Sequence, residues 1–149
     1  MNVRVANQSD MPIVHMMAHD TWGEGTPASE HIALCLASPK YAKERWFVLE
    51  HEGELKSSLI CYRDAFSLPP NTVGIGSVAT TLAHRRNGFA ATMIREVMSR
   101  FSEVGTVDAF FLYSDVDPII YEKLGFIKQP SDQQRYKSST AMVYIVTKN

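Results

Sequence analysis

Cysteine is scarce in this 149-residue chain: Cys35 and Cys61 are the two present, and they show no paired spacing. That number excludes a disulfide-stapled scaffold and a cysteine-rich zinc module; the expectation is two reduced, buried thiols in a cytoplasmic protein. An excess of charge of either sign is lacking too. Lys plus Arg number 15, Asp plus Glu 16, and the formal net charge is -1. Proteins that hold nucleic acid or an anionic membrane rely on a basic field, so neither partner is expected. No apolar run approaches the length of a membrane span, and Met1-Asn2-Val3-Arg4 does not open like a secretory signal. Repeats, linkers and low-complexity segments are missing as well. With 45% hydrophobic and 21% charged residues, the chain reads as a single globular domain over 1–149 that can bury a real core.

The informative stretch runs from Gly74 to Arg100. Its first part, Gly74-Ile75-Gly76-Ser77-Val78-Ala79-Thr80, is small and β-branched, which suits a strand with close backbone neighbours or a bulge. Its last part places Phe89, Ala90, Met93, Ile94, Val97, Met98 and Phe101 at helical spacing, with Thr92, Arg95, Glu96, Ser99 and Arg100 on the other face. Between them lies a basic, polar turn that ends in Gly88. A strand entering a helix through such a turn aims unpaired N–H groups and the positive end of the helix dipole at one place, which suits an anion such as phosphate. A P-loop is excluded because no Lys-Ser or Lys-Thr follows Gly88, and a dinucleotide fingerprint because the turn holds a single glycine.

The rest of the chain supplies the frame. Val3–Ala6 reads as a first strand, and Ser9 or Asp10 as the cap of a helix through about His19, with Ile13, Val14, Met16 and Met17 inward. Thr21–Pro27 is a loop around the lone carboxylate of Glu24, and Thr26-Pro27 opens a second helix that ends before Pro39. Strands follow at Trp46–His51 and about Leu55–Tyr62 around a turn at Glu52-Gly53, then a loop over Phe66–Asn71. Gly105 stops the central helix, and the apolar run Asp108–Tyr113 reads as a strand buried on both faces. Asp117 caps a short helix with Pro118 in its first turn and Ile119, Ile120 and Leu124 inside. The last strands are placed near Phe126–Lys128 and Ala141–Val146. The fold class is α/β in the broad α+β sense: a mixed sheet with helices against it, in which the segment from Gly74 to Tyr113 forms a βαβ unit.

Two motifs carry a family resemblance. Arg85-x-x-Gly88-x-Ala90, directly after a strand, resembles the acetyl-CoA signature of the GNAT N-acetyltransferase superfamily, Gln/Arg-x-x-Gly-x-Gly/Ala. Tyr121-Glu122-Lys123-Leu124-Gly125-Phe126 resembles that superfamily's Tyr-x-x-x-Gly-Phe signature. With the element order, the likeness covers nearly the whole chain. It implies a mostly antiparallel central sheet with a V-shaped split between the central strands, flanked by helices. It also implies acetyl-CoA as co-substrate, with pantetheine along Val78, Ala79 and Thr80 and pyrophosphate at Arg85, Arg86, Asn87, Gly88, Phe89 and Ala90. The implied reaction is direct attack of a neutral amine on the thioester in a ternary complex, with Tyr121 as the general acid for the departing thiolate. A phenol with an ordinary pKa near about 10 is a competent donor to that group; the alternative for Tyr121 is plain packing on the sheet.

The chain departs from the family pattern at two points. Many members carry Asn seven residues before the tyrosine; here that position is Ser114, followed by Asp115. Many also carry a glutamate base on the central strand, yet no carboxylate stands between Gly74 and Leu82. Glu24 or Asp115 could serve as base, or be a surface carboxylate or a helix cap; His84 could serve too, or pack the turn. His15 and His19 lie four apart on one helix, as metal ligands often do, but no Glu or Cys accompanies them, so a helix-surface role and no metal are expected. The acceptor is expected to be an amine-bearing small molecule or peptide, and the protein a monomer or homodimer. A non-catalytic acyl-CoA-binding or interaction domain of the same fold is the alternative function.

Overall fold

The strands and the long amphipathic helix form close to where the side-chain periodicity puts them. The structure, a computed structural model, describes residues 1–22, 45–63, 68–85, 87–114, 117–137 and 139–147. Its elements are β1 (Asn2–Val5), a 3₁₀ turn (Gln8–Asp10), α1 (Met11–Trp22), β2 (Trp46–His51), β3 (Glu54–Tyr62) and β4 (Thr72–Thr80). A second 3₁₀ turn (Leu82–His84), α2 (Phe89–Val104), β5 (Ala109–Ser114), α3 (Ile119–Glu122), β6 (Ile127–Lys128), a third 3₁₀ turn (Ser131–Gln133) and β7 (Thr140–Ile145) follow. The helix expected from Thr26-Pro27, with Cys35 in it, lies outside the described residues. The seven strands follow the order β1-β2-β3-β4-β5-β7-β6. The β1–β2, β2–β3, β5–β7 and β6–β7 pairs are antiparallel and β4–β5 is parallel, as a βαβ unit requires. No helix among the described residues is long and apolar enough to cross a membrane.

The chain divides into two compact units, Met1–Cys61 with Ser77–Val97, and Tyr62–Gly76 with Met98–Asn149. In the first, β2 and β3 are joined by Glu52 and Gly53, both at positive φ (54° and 79°), the two-residue hairpin turn whose twist matches its strands. Met93, Ile94 and Val97 of α2 are buried while Arg95 and Glu96 are exposed, so the helix presents the apolar stripe read from its spacing. Each such side chain removed from water is worth about 1.5–3 kcal/mol. Cys61 is buried in β3, which pushes its thiol up to about 12. His15 is buried too, its ring edge-on to Trp46 at 5.7 Å, which corrects the helix-surface role.

In the second unit β4 pairs with β5 from Thr72↔Ala109 to Ile75↔Leu112, and the ladder's last pair is there although β4 runs to Thr80. Phe110, Leu112 and Met142 are buried, and Phe101 lies edge-on to Phe110 at 6.2 Å. Gly105, at φ 79°, closes α2 as expected. Asp117 caps α3 through its carboxylate, which accepts from the Ile119 amide at 3.1 Å. Ile119 and Ile120 lie in α3 and are about half exposed, while Leu124, expected in the same helix, falls just beyond it and is buried. A helix of four residues has too few turns to turn both neighbours toward the core.

The first helix is capped differently from expectation. A 3₁₀ turn leads into it, and Asn7 caps that turn: its side chain accepts from the Asp10 amide at 3.1 Å, and Asp10 answers by accepting from the Asn7 amide at 2.8 Å. This reciprocal box is locked by Arg4, which donates to Asp10 at 2.7 Å and 3.2 Å. The guanidinium, with the Asn7 amide, holds the Asp10 carboxyl below its ordinary value of 3.8. A depressed carboxyl stabilises the fold fully above its unfolded value and loses that contribution as pH falls through the folded one. Asp10→Ala should therefore cost about 1–2 kcal/mol at neutral pH, the range for a lost cap. Urea melts across pH should show the wild-type advantage shrinking below about pH 4, where the unfolded carboxyl begins to protonate.

Candidate phosphate turn and the second motif

The first unit builds its candidate site by fastening the end of β4 to β3. Ser57, fully buried, donates to the Ala79 carbonyl at 2.7 Å and lies 2.8 Å from the Thr80 hydroxyl. One hydroxyl has one proton, so Thr80 supplies the other and the two form a chain ending on the backbone. The Thr81 amide donates to the Lys56 carbonyl at 3.0 Å. Ala79 and Thr81 thus address β3, and strand alternation directs the backbone groups of Val78 and Thr80 to the other edge. There the Thr80 carbonyl already accepts from Arg85 Nε at 3.1 Å. Ser77, just before, sits at φ 47° within β4, a non-glycine residue in the left-handed region and the irregularity that the small-residue run anticipated.

The turn itself is tied together by its own side chains. The His84 amide donates to the Thr81 carbonyl at 2.9 Å, and Asn87 Nδ2 donates to the His84 carbonyl at 3.3 Å. His84 Nε2 lies 3.1 Å from Lys56 Nζ and 3.3 Å from Glu54 Oε2, and Lys56 Nζ lies 3.1 Å from that same oxygen. The Phe89 ring packs near His51 at 5.9 Å and edge-on to His84 at 6.3 Å. Gly88 then caps α2: its carbonyl accepts the first helical bond, from Thr92 at 3.0 Å, and its φ is 77°. A Cβ built there meets no protein atom within 4 Å. Glycine brings no side-chain acceptor to the leading amides of a helix, so they point outward with the dipole. The site fits a phosphate: amides, a positive helix end, and open room where a side chain would stand.

The second unit holds the other motif. The Tyr121 carbonyl accepts from the Leu124 and Phe126 amides at 3.0 Å and 3.1 Å, which closes the turn after α3. Gly125 has φ 100°, and a Cβ on it would lie 2.8 Å from Tyr144 Cε2. Tyr144 is held in turn by Phe110 at 6.3 Å and Phe126 at 5.7 Å, and Phe126 by Tyr121 at 6.1 Å. The Gly-Phe pair is therefore an aromatic clasp with a physical reason for each residue. Tyr121 is half-buried, and Ser114, at the end of β5, is buried. Val78, Ala79, Thr80, Arg85, Asn87, Gly88, Phe89 and Ala90 are brought together in the first unit, while Ser114 and Tyr121 belong to the second. Arg86, Glu24 and Asp115 lie outside the described residues. Among the described residues, no cluster of three or more His, Cys, Asp or Glu is arranged to hold a metal ion. Sequence reasoning missed Lys56 and Ser57, because polar residues in a strand read as its solvent side.

A family model described as the acetyltransferase (GNAT) domain matches residues 2–128. No curated protein matches the chain by sequence. In fold it is similar to N-acetylglutamate synthase from Neisseria gonorrhoeae, solved with coenzyme A and L-arginine, at a TM-score of 0.76 and 14% identity over 99% of this chain and 33% of that one. An N-acetyltransferase from Staphylococcus aureus Mu50 gives 0.75 and 16% over 98% of this chain and 100% of that one. The PaiA N-acetyltransferase from Thermoplasma acidophilum, solved with coenzyme A, gives 0.70 and 15% over 97% and 98%.

The two motif glycines should respond differently to alanine. Both substitutions force a left-handed conformation, worth about 1–2 kcal/mol. At Gly88 that is the whole cost to the fold, because the added methyl enters open space. Gly125→Ala must also displace the wedged Tyr144 ring, a further ~1–3 kcal/mol of overpacking. Thermal melts should rank Gly125→Ala clearly below Gly88→Ala; equal losses would mean that the aromatic clasp yields freely.

Proposed function

The chain belongs to the GNAT acetyltransferase family, and we propose that it moves an acetyl group from acetyl-CoA to the amine of a small molecule. One observation carries the reading: Gly88 caps α2 at φ 77° with open space over it, closing the turn that follows β4. Pantetheine would run along Val78, Ala79 and Thr80, and pyrophosphate would rest on the amides from Arg85 to Ala90. The Arg85 side chain already serves the Thr80 carbonyl, so backbone rather than side-chain charge is the principal holder. In this reading residues 1–149 act as one domain with no metal, and Ser114 stands beside the cofactor in place of the family asparagine.

The chemistry balances without a covalent enzyme intermediate. The neutral amine attacks the thioester carbonyl, a C–N bond forms and the C–S bond breaks. The CoA thiolate takes the proton of Tyr121, and the ammonium proton leaves to a base or to water, from which the Tyr121 phenolate is reprotonated. Glu24 or Asp115 is the proposed base. His84 is a poorer one, since its Nε2 already lies 3.1 Å from Lys56 Nζ. The absence of any carboxylate on Thr72–Thr80 favours one second reading, a non-catalytic acyl-CoA-binding module of the same fold.

Acetyl-CoA should raise the melting temperature, because it binds the folded chain alone. Gly88→Glu should abolish that rise, since a side chain and a like charge then fill the anion site; a folded mutant with unchanged affinity would show the phosphate turn misplaced. Thiol release across an amine panel separates enzyme from binding module. On the best amine, Tyr121→Phe should lower kcat by about 10²–10⁴, the usual worth of general-acid catalysis, and leave acetyl-CoA affinity alone. Undiminished turnover in Tyr121→Phe would sink the acid assignment.

A further inference from the structure

Lys56 is an unusual residue to find where it is. Its side chain is 6% exposed, near the start of β3, and lysine is almost never that buried unless its ammonium is partnered. The partners are Glu54 Oε2 at 3.1 Å and His84 Nε2 at 3.1 Å. Lysine donates and has no acceptor, so His84 Nε2 can engage it through its lone pair alone. The same nitrogen is 3.3 Å from Glu54 Oε2, but it cannot accept from Lys56 and donate to Glu54 together. Lys56 can bridge Glu54 and His84 as two acceptors when the His84 ring proton sits on Nδ1, and that is the tautomer a positioning role for Lys56 requires. The Glu54 carboxyl is correspondingly held below its ordinary value, first by its bond from Lys56.

His84 is also the hub of the turn. Its amide is bonded to Thr81, its carbonyl accepts from Asn87, and its ring packs edge-on to Phe89, the residue after Gly88. Whatever fixes the ring therefore fixes both ends of the loop that aims the leading α2 amides. We propose that Lys56 is a positioning residue for the phosphate turn: its buried ammonium, anchored on Glu54, holds His84 and through it sets the geometry in which Asn87, Gly88 and Phe89 meet a pyrophosphate. The inference rests on the acetyl-CoA reading above and deepens it. Lys56 touches neither cofactor nor reacting atoms; it works through His84.

The test uses a donor that has the pyrophosphate and one that lacks it. Lys56→Met keeps the aliphatic stem in place and removes the ammonium. It should weaken coenzyme A binding about tenfold, the worth of one charge-assisted hydrogen bond, and raise KM for acetyl-CoA by more than kcat falls. With acetyl-pantetheine, which has no pyrophosphate, kcat/KM should change far less. His84→Leu, at a part-exposed position, should show the same selective loss, and the two losses should not add, because one path carries both. Nitrogen-15 spectra above the imidazole titration range should show the Nδ1–H tautomer of His84 in the wild type and a switch to Nε2–H, donating to Glu54, in Lys56→Met. Should Lys56→Met fail to fold, the His84→Leu donor comparison decides. Equal losses on both donors, or unchanged coenzyme A binding in either variant, would overturn the proposal. No coenzyme A shift in the wild type would instead overturn the acetyl-CoA reading and this inference with it.

Discussion

One hydrogen bond, from the Thr92 amide to the Gly88 carbonyl, marks the point where an extended chain becomes a helix, and the first unit is arranged about it. Upstream the chain must arrive in register, which β3 enforces by gripping Ala79, Thr80 and Thr81. Downstream the helix must leave at a fixed angle, which the buried stripe of Met93, Ile94 and Val97 enforces. The junction can then be tight, and only a residue without a side chain satisfies the left-handed conformation and leaves the amides uncovered. Rigidity on either side of a bare backbone corner is what a site for a charged group asks for, since little reorganises when the charge arrives.

Legibility in the sequence follows from how local each cause is. The stripe of α2 and the stop at Gly105 are written within a few residues of each other, so periodicity and turn chemistry recover them. The Asn7 cap is local too, yet Ser9 and Asp10 are equally good cap residues, and what selects Asn7 is Arg4 reaching back to Asp10. Lys56, Ser57 and Ser58 are the opposite case. Their letters say solvent, and beside the neighbouring Glu54 their burial is compensated by His84, Ala79, and Met17 Sδ at 3.4 Å, partners far along the chain. His15 misleads for the same reason, because Trp46, which packs edge-on against it, comes from β2, about thirty residues further on. In Tyr-x-x-x-Gly-Phe the letters are recognisable, but the reason for Gly125 is Tyr144, beyond the motif.

The distribution of proton-handling groups also has a shape. β4 offers no carboxylate from Thr72 to Thr80, and the histidine next to it is enlisted in holding the turn. Around the turn, the polar side chains of Glu54, Lys56, Ser57, Thr80, His84, Arg85 and Asn87 are spent on each other and on backbone. Proton transfer, in the proposed reaction, falls to Tyr121 in the second unit, to the loops and to the acceptor's own amine.

Burial of Cys61 has a consequence for a protein that handles an activated thioester. Any thiolate near acetyl-CoA can capture the acetyl group by thioester exchange, and the attacking species is the anion. Burial pushes the Cys61 thiol up to about 12, so at neutral pH it stays protonated and lacks the anion that such exchange requires.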